Sequence, residues 1–375
     1  MNNLHIKLLS NLVAFKTVTP YGEDAIDYCS DFLKNLGFEC QKLNFGNVSN
    51  LYAKFGNFDK NLCFAGHIDI VPPLDGWNSD PFKLTESNGM LYGRGTNDMK
   101  GPLSAAFAAI SDFINSEIPK FSLSVILTSD EEIMGDNGTK KVIEFLQKKS
   151  EKIDGCVLCE SCSPKESGEY IKIGCRGSLN IDFKSTGAQC HVVSGKVFGN
   201  HLHDFAEFLS KFSKTKLDDG NSNFSPSDIE MTSIDVENTV RNIIPHTATA
   251  KFNIRFNDHW TFEKLEKLVT DLLSKNIIAK FERFGHPFIG SDIGFIEFLS
   301  NSINKSVGTK PEIGTSGGNS DALSISKLKN VVEIGSPISG AHIVNEFISI
   351  SDMEKLRKIY FDIIKNFQKY TVKEY

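Results

Sequence analysis

The sequence predicts an α/β fold, in which a mixed, mostly parallel sheet is flanked by helices and a second, α+β domain is inserted. Helices alternate with apolar strands in the N-terminal part of the chain, which is typical of a mostly parallel sheet. The order of elements changes after Cys175. The length of 375 residues also exceeds what one hydrophobic core usually organises, so two domains are expected.

The N-terminal part begins with two helices, predicted at 3–15 and 24–36. Pro20 and Gly22 separate these helices, and Gly37 stands where a glycine commonly ends a helix. Apolar runs and helical periodicity predict the later elements of this part: strands at 38–45, 50–55, 61–66, 82–85, 122–128 and 155–159, and helices at 102–113 and 138–149.

After Cys175 the predicted order becomes β-α-β-β-α-β, the ferredoxin-like split βαβ arrangement. Its elements are strands at 178–186, 229–236, 247–256 and 277–284, and helices at 200–213 and 261–273. This order predicts an inserted domain over 178–289 and a discontinuous catalytic domain over 1–177 and 290–375. The catalytic domain is completed by helices at 292–306 and 351–368 and a strand at 331–334.

The composition restricts the partners. A net charge of −6 and a pI of 5.9 argue against binding to nucleic acid or an anionic membrane, which requires a basic face. The N-terminus lacks the apolar core and cleavage site of a signal peptide, and no apolar run approaches the ~18 residues of a membrane span. A cytoplasmic protein is therefore expected.

Three of the eight cysteines, Cys156, Cys159 and Cys162, have the spacing C-x-x-C-x-x-C. This spacing leaves open an iron–sulfur or zinc site. The surrounding apolar run favours a buried strand instead, in which reduced cysteines act as small hydrophobic residues.

The candidate site is centred on the end of an apolar strand, at His67 and Asp69. Five other polar residues lie in loops or directly after predicted strands: Asp98, Glu131, Glu132, Glu160 and His342. Ligands of open α/β sheets bind at the carboxyl ends of the strands, so these side chains are expected to converge there.

Each of these residues has a simpler explanation when taken alone. Asp98 could cap a helix, Glu131 and Glu132 could form a solvated turn, Glu160 could be a loop charge, and His342 a surface histidine. Together, two histidines and several carboxylates form the mixed nitrogen and oxygen set that suits zinc or a similar ion. The set predicts a two-metal hydrolase site with one bridging carboxylate.

The chain resembles the M20 metallopeptidases in an ordered set of motifs: HIDIVPP, GRGTNDMKG, TSDEE, the Glu160 segment, CRGSLN, NIIP, and GGNSD followed by AHIVNE. The resemblance covers essentially the whole chain. The segments IKIGCRGSLN and DNGTKKVIEFL are most similar to the family's desuccinylases. It implies a zinc-dependent amide hydrolase that releases succinate from N-succinyl-LL-2,6-diaminopimelate in lysine and diaminopimelate biosynthesis. It also implies a homodimer in which the inserted domain is the lid and dimerisation domain.

The resemblance further implies two zinc ions per subunit, for which cobalt or manganese can substitute. His67 and Glu160 would bind one ion, Glu132 and His342 would bind the other, and Asp98 would bridge both.

The resemblance also assigns catalytic and substrate-binding roles. Asp69 would orient His67, Glu131 would be the general base, and His191 would stabilise the oxyanion across the dimer. A dicarboxylate N-acyl amino acid would be bound by a further set of residues: Arg176, Ser178, Asn242, Arg255, Gly317 and Gly318.

Three segments depart from the family pattern. His191 lies in AQCHVVSGKV rather than before a small residue and a proline, and Glu160 lies in LCESC where GEP is common. GGNSD continues with Ala322 and Leu323, where the desuccinylases usually carry an arginine. This last difference keeps open a related deacylase or peptidase, such as an N-acetylornithine deacetylase, an aminoacylase or a dipeptidase.

A non-catalytic homologue, which would keep the fold as a binding or dimerisation module, is a further alternative. Such proteins usually lose metal ligands or the base. All seven residues of the proposed centre are present here, which disfavours that alternative.

Overall fold

The computed structural model describes residues 3–133, 135–328 and 330–370, and the chain divides into two compact units. The larger unit comprises the residues up to Gly174 and those from Ile289 onward, and the smaller unit is Cys175–Phe288. The role of the smaller unit as a lid or dimerisation domain stays a prediction.

The helices of the described residues are α1 (Leu4–Ala14), α2 (Glu23–Asn35), α3 (Lys100–Ser116), α4 (Thr139–Lys148), α5 (Gly195–Phe198), α6 (His201–Phe212), α7 (Phe262–Leu272), α8 (Ile293–Val307), α9 (Ala322–Ile325) and α10 (Ile350–Phe367). The strands are β1 (Glu39–Phe45), β2 (Val48–Phe55), β3 (Asn61–His67), β4 (Thr85–Ser87), β5 (Met90–Tyr92), β6 (Ser122–Thr128), β7 (Gly155–Leu158), β8 (Tyr170–Lys172), β9 (Gly174–Cys175), β10 (Gly177–Thr186), β11 (Cys190–His191), β12 (Asp228–Asp235), β13 (Ile243–Ile244), β14 (Thr247–Phe256), β15 (Ile277–Gly285), β16 (Phe288–Ile289), β17 (Glu312–Gly314), β18 (Val331–Glu333) and β19 (Phe347–Ser349).

The main sheet of the larger unit has eight strands in the order β1-β2-β6-β3-β7-β18-β8-β17. The four central strands β6, β3, β7 and β18 run parallel to one another. Every residue of β3, β6 and β7 is buried, which explains their continuous apolar character. The predicted mixed and mostly parallel α/β sheet is therefore confirmed, and the carboxyl ends of the central strands share one edge.

Helix α3 packs against α1, α10 and β3, and it starts directly after the loop that carries Asp98. Its alanines and other small residues allow burial along nearly its whole length. The helix starts at Lys100, two residues before the prediction. Pro102 lies in its first turn, where a missing N–H breaks no intrahelical bond.

The smaller unit is built on a four-stranded antiparallel sheet in the order β12-β14-β10-β15. Together with α6 and α7, its chain order is the predicted β-α-β-β-α-β. The core is rich in phenylalanine, and Phe183 makes edge-to-face contacts with Phe208, Phe212 and Phe252. Burial alternates along β14, as expected for a sheet with one face in a core.

The short strands were predicted poorly. The strand predicted at 82–85 lies instead at 85–87 and forms a hairpin with β5, within a small sheet β19-β5-β4. Asn88 and Gly89 both have positive φ angles in the two-residue turn, and Asn-Gly is a strong hairpin signal. Strands β8 and β17, which extend the main sheet, were not predicted, because their three residues show neither a period nor a dense apolar run. The equally short β18 lies in the apolar segment 331–334.

Within the described part of the chain, no helix combines the length and the apolar composition that crossing a membrane requires.

Candidate metal centre

Three parallel strands deliver the polar residues predicted from the sequence. His67 is the last residue of β3, Glu131 and Glu132 follow β6, and Glu160 follows β7. Gly335 allows a close approach here, because a Cβ at that position would lie 2.1 Å from the carbonyl oxygen of Glu160. The loops before α3 and β19 bring Asp98 and His342 to the same place.

The Asp98 carboxylate lies between the two imidazoles. Its Oδ1 is 3.1 Å from Nε2 of His67, and its Oδ2 is 3.2 Å from Nε2 of His342. The same nitrogen of His67 is 3.6 Å from Glu160 Oε2, and that of His342 is 3.1 Å from the Glu132 carboxylate. Two imidazole–carboxylate clusters therefore share one aspartate.

Asp69 is fully buried and is hydrogen-bonded to three residues of this centre. Its two carboxylate oxygens accept the backbone N–H groups of Glu131 and Glu132, at 3.3 and 3.1 Å. Its backbone carbonyl accepts from Nδ1 of His67 at 3.0 Å. This bond places a hydrogen on Nδ1, so that Nε2, which faces Asp98 and Glu160, is the nitrogen available to a metal ion.

Burial and mutual repulsion act on the carboxyl groups of the centre. Burial, together with the charge of Asp98, raises the pKa of Glu160 to about 8, and burial raises the pKa of Glu131 well above its usual range. Hydrogen bonds with Asp98 and Glu132 raise the pKa of His342 to about 10. For Asp98, hydrogen bonds from His342 and His67 outweigh the effect of burial and lower the pKa.

The residues present fit divalent metal ions. Oε2 of Glu160 is buried and has no hydrogen-bond partner among the described residues. Two ligand atoms at about 2.1 Å from a tetrahedral zinc are about 3.4 Å apart, close to the separations of 3.1–3.6 Å found here. His67, Asp98 and Glu132 each offer a ligand atom within 4.8 Å of the others. The centre also brings five carboxylates together with only two imidazoles. Divalent ions would offset this excess of negative charge.

One buried acid at this centre was not predicted. Glu346 is fully buried, and its carboxylate is 2.8 Å from the Arg94 guanidinium. It also accepts the backbone N–H groups of Gly95, Asn97 and Asp98. The AHIVNE motif contains Glu346, but nothing in the sequence indicates a partner some 250 residues earlier in the chain.

The other predicted residues of the larger unit, Gly317 and Gly318, are exposed and lie in the loop 315–321, between β17 and α9. Gly317 has a φ of 104°, which side chains rarely adopt. The loop is held from below, because Lys172 donates to the carbonyl of Gly318 at 2.7 Å and Ser320 donates to Glu333 at 2.7 Å. Neither Lys172 nor Glu333 was predicted.

In the smaller unit, the predicted residues form two groups. Val193 N–H donates to Nδ1 of His191 at 3.3 Å, and Nε2 of the same ring lies 3.5 Å from the side-chain nitrogen of Asn242. Both residues are exposed.

The second group lies on β10 and β14, where Ser178 and Arg255 are register partners. Arg176 donates to the Asp228 carboxylate at 2.7 Å. Burial and the neighbouring charge of Arg176 lower the pKa of Arg255. Ser178 is buried and accepts from Asn253.

The three cysteines with regular spacing are buried as thiols. Cys156 and Cys159 are fully buried, and Cys162 is 7% exposed. Burial raises the pKa of Cys162 to about 12 and that of Cys156 well above its usual range. Their burial agrees with the interpretation of these cysteines as small hydrophobic residues.

Comparison with known proteins identifies the family. A model of the peptidase family M20/M25/M40 matches residues 63–366. The chain is 40% identical over 370 residues to a succinyl-diaminopimelate desuccinylase of Wolbachia pipientis subsp. Culex pipiens (strain wPip), covering 96% of this chain and 93% of that one. A protein of the same name from Ehrlichia chaffeensis (strain ATCC CRL-10679 / Arkansas) is 39% identical over 373 residues, covering 96% of this chain and 97% of that one.

Solved structures show the same fold at low identity. An M20 family metallo-carboxypeptidase from Sulfolobus solfataricus aligns with a TM-score of 0.79 at 18% identity, covering 96% of this chain and 98% of that one. A dinuclear metal binding peptidase from the M20 family of Bacillus subtilis aligns with a TM-score of 0.68 at 14% identity, covering 99% and 100%. The chain belongs to the peptidase family M20/M25/M40 and is a metal-dependent amide hydrolase of that family.

Proposed function

We propose that the protein is a dizinc desuccinylase that hydrolyses N-succinyl-LL-2,6-diaminopimelate to LL-2,6-diaminopimelate and succinate. The reaction type is supported by one observation above all: the Asp98 carboxylate is shared by two imidazole–carboxylate clusters. The substrate is supported by the relatives, which align over 96% of the chain and are named as desuccinylases.

Five residues would hold the ions. His67 and Glu160 would hold one zinc, Glu132 and His342 would hold the other, and Asp98 would be shared by both. Bound zinc supplies a Lewis acid for the amide carbonyl and lowers the pKa of water toward ~7. Cobalt or manganese can take the place of zinc, because the mixed nitrogen and oxygen ligands suit all three.

The protein's own residues move the proton. Glu131 accepts a proton from the attacking water and passes it to the amine that leaves when the amide C–N bond breaks. Its backbone N–H is bonded to Asp69, which also receives the hydrogen bond of His67. Asp69 therefore orients both the base and a ligand.

In the smaller unit, His191 is assigned to the oxyanion, to which its imidazole would donate a hydrogen bond. The two substrate carboxylates are assigned to two arginines and to hydroxyl, amide and backbone donors: Arg176, Arg255, Ser178, Asn242, Gly317 and Gly318. The proposal also includes a homodimer built through the smaller unit, which the family resemblance supports. It includes a cytoplasmic location as well, since eight free cysteines suit a reducing compartment.

The test is succinate release from N-succinyl-LL-2,6-diaminopimelate by zinc-loaded protein, with N-acetylornithine in parallel. Turnover of the succinyl substrate that is lost on chelation and restored by zinc is the expected result. Turnover of N-acetylornithine alone would overturn the substrate assignment and match the absence of an arginine near Leu323. Absence of both activities in protein that holds two zinc ions would overturn the desuccinylase assignment.

A further inference from the structure

Glu346 has no role in the chemistry proposed above, although each oxygen of its buried carboxylate accepts two hydrogen bonds. Oε1 accepts from the backbone N–H groups of Asn97 at 2.8 Å and Asp98 at 3.0 Å. Oε2 accepts from the N–H of Gly95 at 3.0 Å and from the guanidinium of Arg94 at 2.8 Å. The backbone N–H groups of the 94–98 segment therefore converge on the carboxylate of Glu346.

This segment and the one that carries Glu346 hold two proposed ligands. Asp98 is the last residue of the first segment, and His342 precedes Glu346 by only four residues. The two ligands are 3.2 Å apart at their nearest nitrogen and oxygen atoms. The carboxylate of Glu346 therefore connects the segment that carries Asp98 to the segment that carries His342.

Further contacts of Arg94 and Asn97 hold the 94–98 segment in place. The guanidinium of Arg94 is nearly fully buried and stacks on Trp77, with its carbon 5.1 Å from the ring centre. The side chain of Asn97 donates to the carbonyl of Pro337 at 2.7 Å, and Ser336 donates to the carbonyl of Asn97 at 2.8 Å. The 94–98 segment is thereby bonded to the chain on both sides of His342.

We propose that Glu346 is a positioning residue of the metal centre, which sets Asp98 and His342 at the spacing that one ion requires. The proposal rests on the ligand roles proposed above. Replacement of Glu346 is therefore expected to weaken zinc binding more at the site of Asp98, Glu132 and His342 than at the site of His67 and Glu160.

Glu346→Gln tests the proposal because glutamine keeps the shape but presents an NH2 group to two N–H donors. Outer partners of metal ligands typically contribute 10- to 100-fold in metal affinity, and a loss of that size is expected at one of two zinc sites. Glu346→Asp keeps the charge but is one methylene shorter, so a smaller loss is expected. Zinc binding to the metal-free protein is measured by equilibrium dialysis, without substrate.

Glu333→Gln is the matched control. Glu333 is an equally buried carboxylate of an ion pair, but its partners Lys172 and Ser320 lie outside the metal cluster. We expect this variant to lower the melting temperature while zinc binds with wild-type affinity.

Wild-type zinc affinity in either folded Glu346 variant would overturn the proposal, and Glu346→Asp decides if the glutamine variant does not fold. An equal loss of zinc affinity in Glu333→Gln would also overturn it, because general destabilisation would then explain the effect. Wild-type protein that binds two zinc ions but does not release succinate would contradict the desuccinylase assignment and leave this inference intact.

Discussion

The ammonium group of Lys172 lies 2.9 Å from the carboxylate of Glu333, and both side chains are almost fully buried, at 4% and 1% exposure. Such a pair is weak evidence for stability, because desolvation of two charges offsets much of their attraction. Its further bonds reach Gly318 and Ser320, in the loop to which substrate binding is assigned. We interpret the pair as the support that fixes this loop.

Glu333→Gln is expected to raise the KM for the succinyl substrate more than it lowers kcat, because the loop shifts while the proposed metal ligands keep their places.

Lys172→Met leaves a buried charge without its partner and is expected to destabilise the fold by about 3–5 kcal/mol. Steady-state kinetics and urea unfolding measure the two effects. The control is Lys140→Met, which removes an exposed ion pair and is expected to cost less than ~1 kcal/mol.

An unchanged KM in folded Glu333→Gln would contradict the role of the pair in positioning the loop.

The sequence is sufficient to predict the elements that are long or fully buried. Strands β3 and β6 are continuous apolar runs that end at candidate ligands, so both the sheet and the position of His67 could be predicted. Helix α10 shows a clear apolar stripe over its whole length. Strands β8 and β17 have three residues each and no dense apolar run, which is too little pattern for a prediction.

The supporting ion pairs of the site could not be predicted for a different reason. Arg94 and Glu346 are 252 residues apart, and Lys172 and Glu333 are 161 residues apart. In a sequence, each of these four residues is an ordinary charged residue expected at the surface. Only the fold buries them and selects their partners.

Asp69→Asn is expected to lower activity or zinc affinity by about 10- to 100-fold. The wild-type carboxylate accepts the N–H groups of Glu131 and Glu132 with its two oxygens, whereas asparagine offers one oxygen and one NH2 group. The measurements are kcat/KM and zinc stoichiometry. Asp130→Asn is the matched control, since Asp130 directly precedes Glu131 and is also buried, but its carboxylate accepts from Asn137. Equal effects of both variants would show that the turn itself, rather than Asp69, is responsible.

Asp218 is expected to make the stability of the smaller unit depend on pH in the acidic range. Its carboxylate accepts from the backbone of Gly220 and Ser227 and from the side chains of Asn257 and Trp260. Burial alone would raise the pKa of Asp218, but these hydrogen bonds outweigh it and lower the pKa to about 2.

An unfolded aspartate has a pKa of about 3.9, so the folded state favours the ionised form. The stabilisation is therefore complete well above pH 4 and is lost as the pH falls through about 2. Asp218→Asn is expected to lower the free energy of unfolding by about 1–2 kcal/mol at pH 7, allowing for partial solvent screening. Urea unfolding of both proteins between pH 7 and pH 2.5 should show the difference shrinking, and a constant difference would refute the linkage.

The adjacent acids Glu131 and Glu132 are expected to separate catalysis from metal binding. Glu132 approaches His342 at 3.1 Å and is proposed as a zinc ligand, whereas Glu131 is proposed as the base. Glu131→Gln should reduce kcat by about 10²- to 10⁴-fold, the usual contribution of a positioned base, with two zinc ions still bound. Glu132→Gln should weaken the binding of one zinc ion. Zinc content and turnover are measured on the same preparations. Near-normal activity of Glu131→Gln would exclude it as the base, and loss of zinc from that variant would make Glu131 a ligand instead.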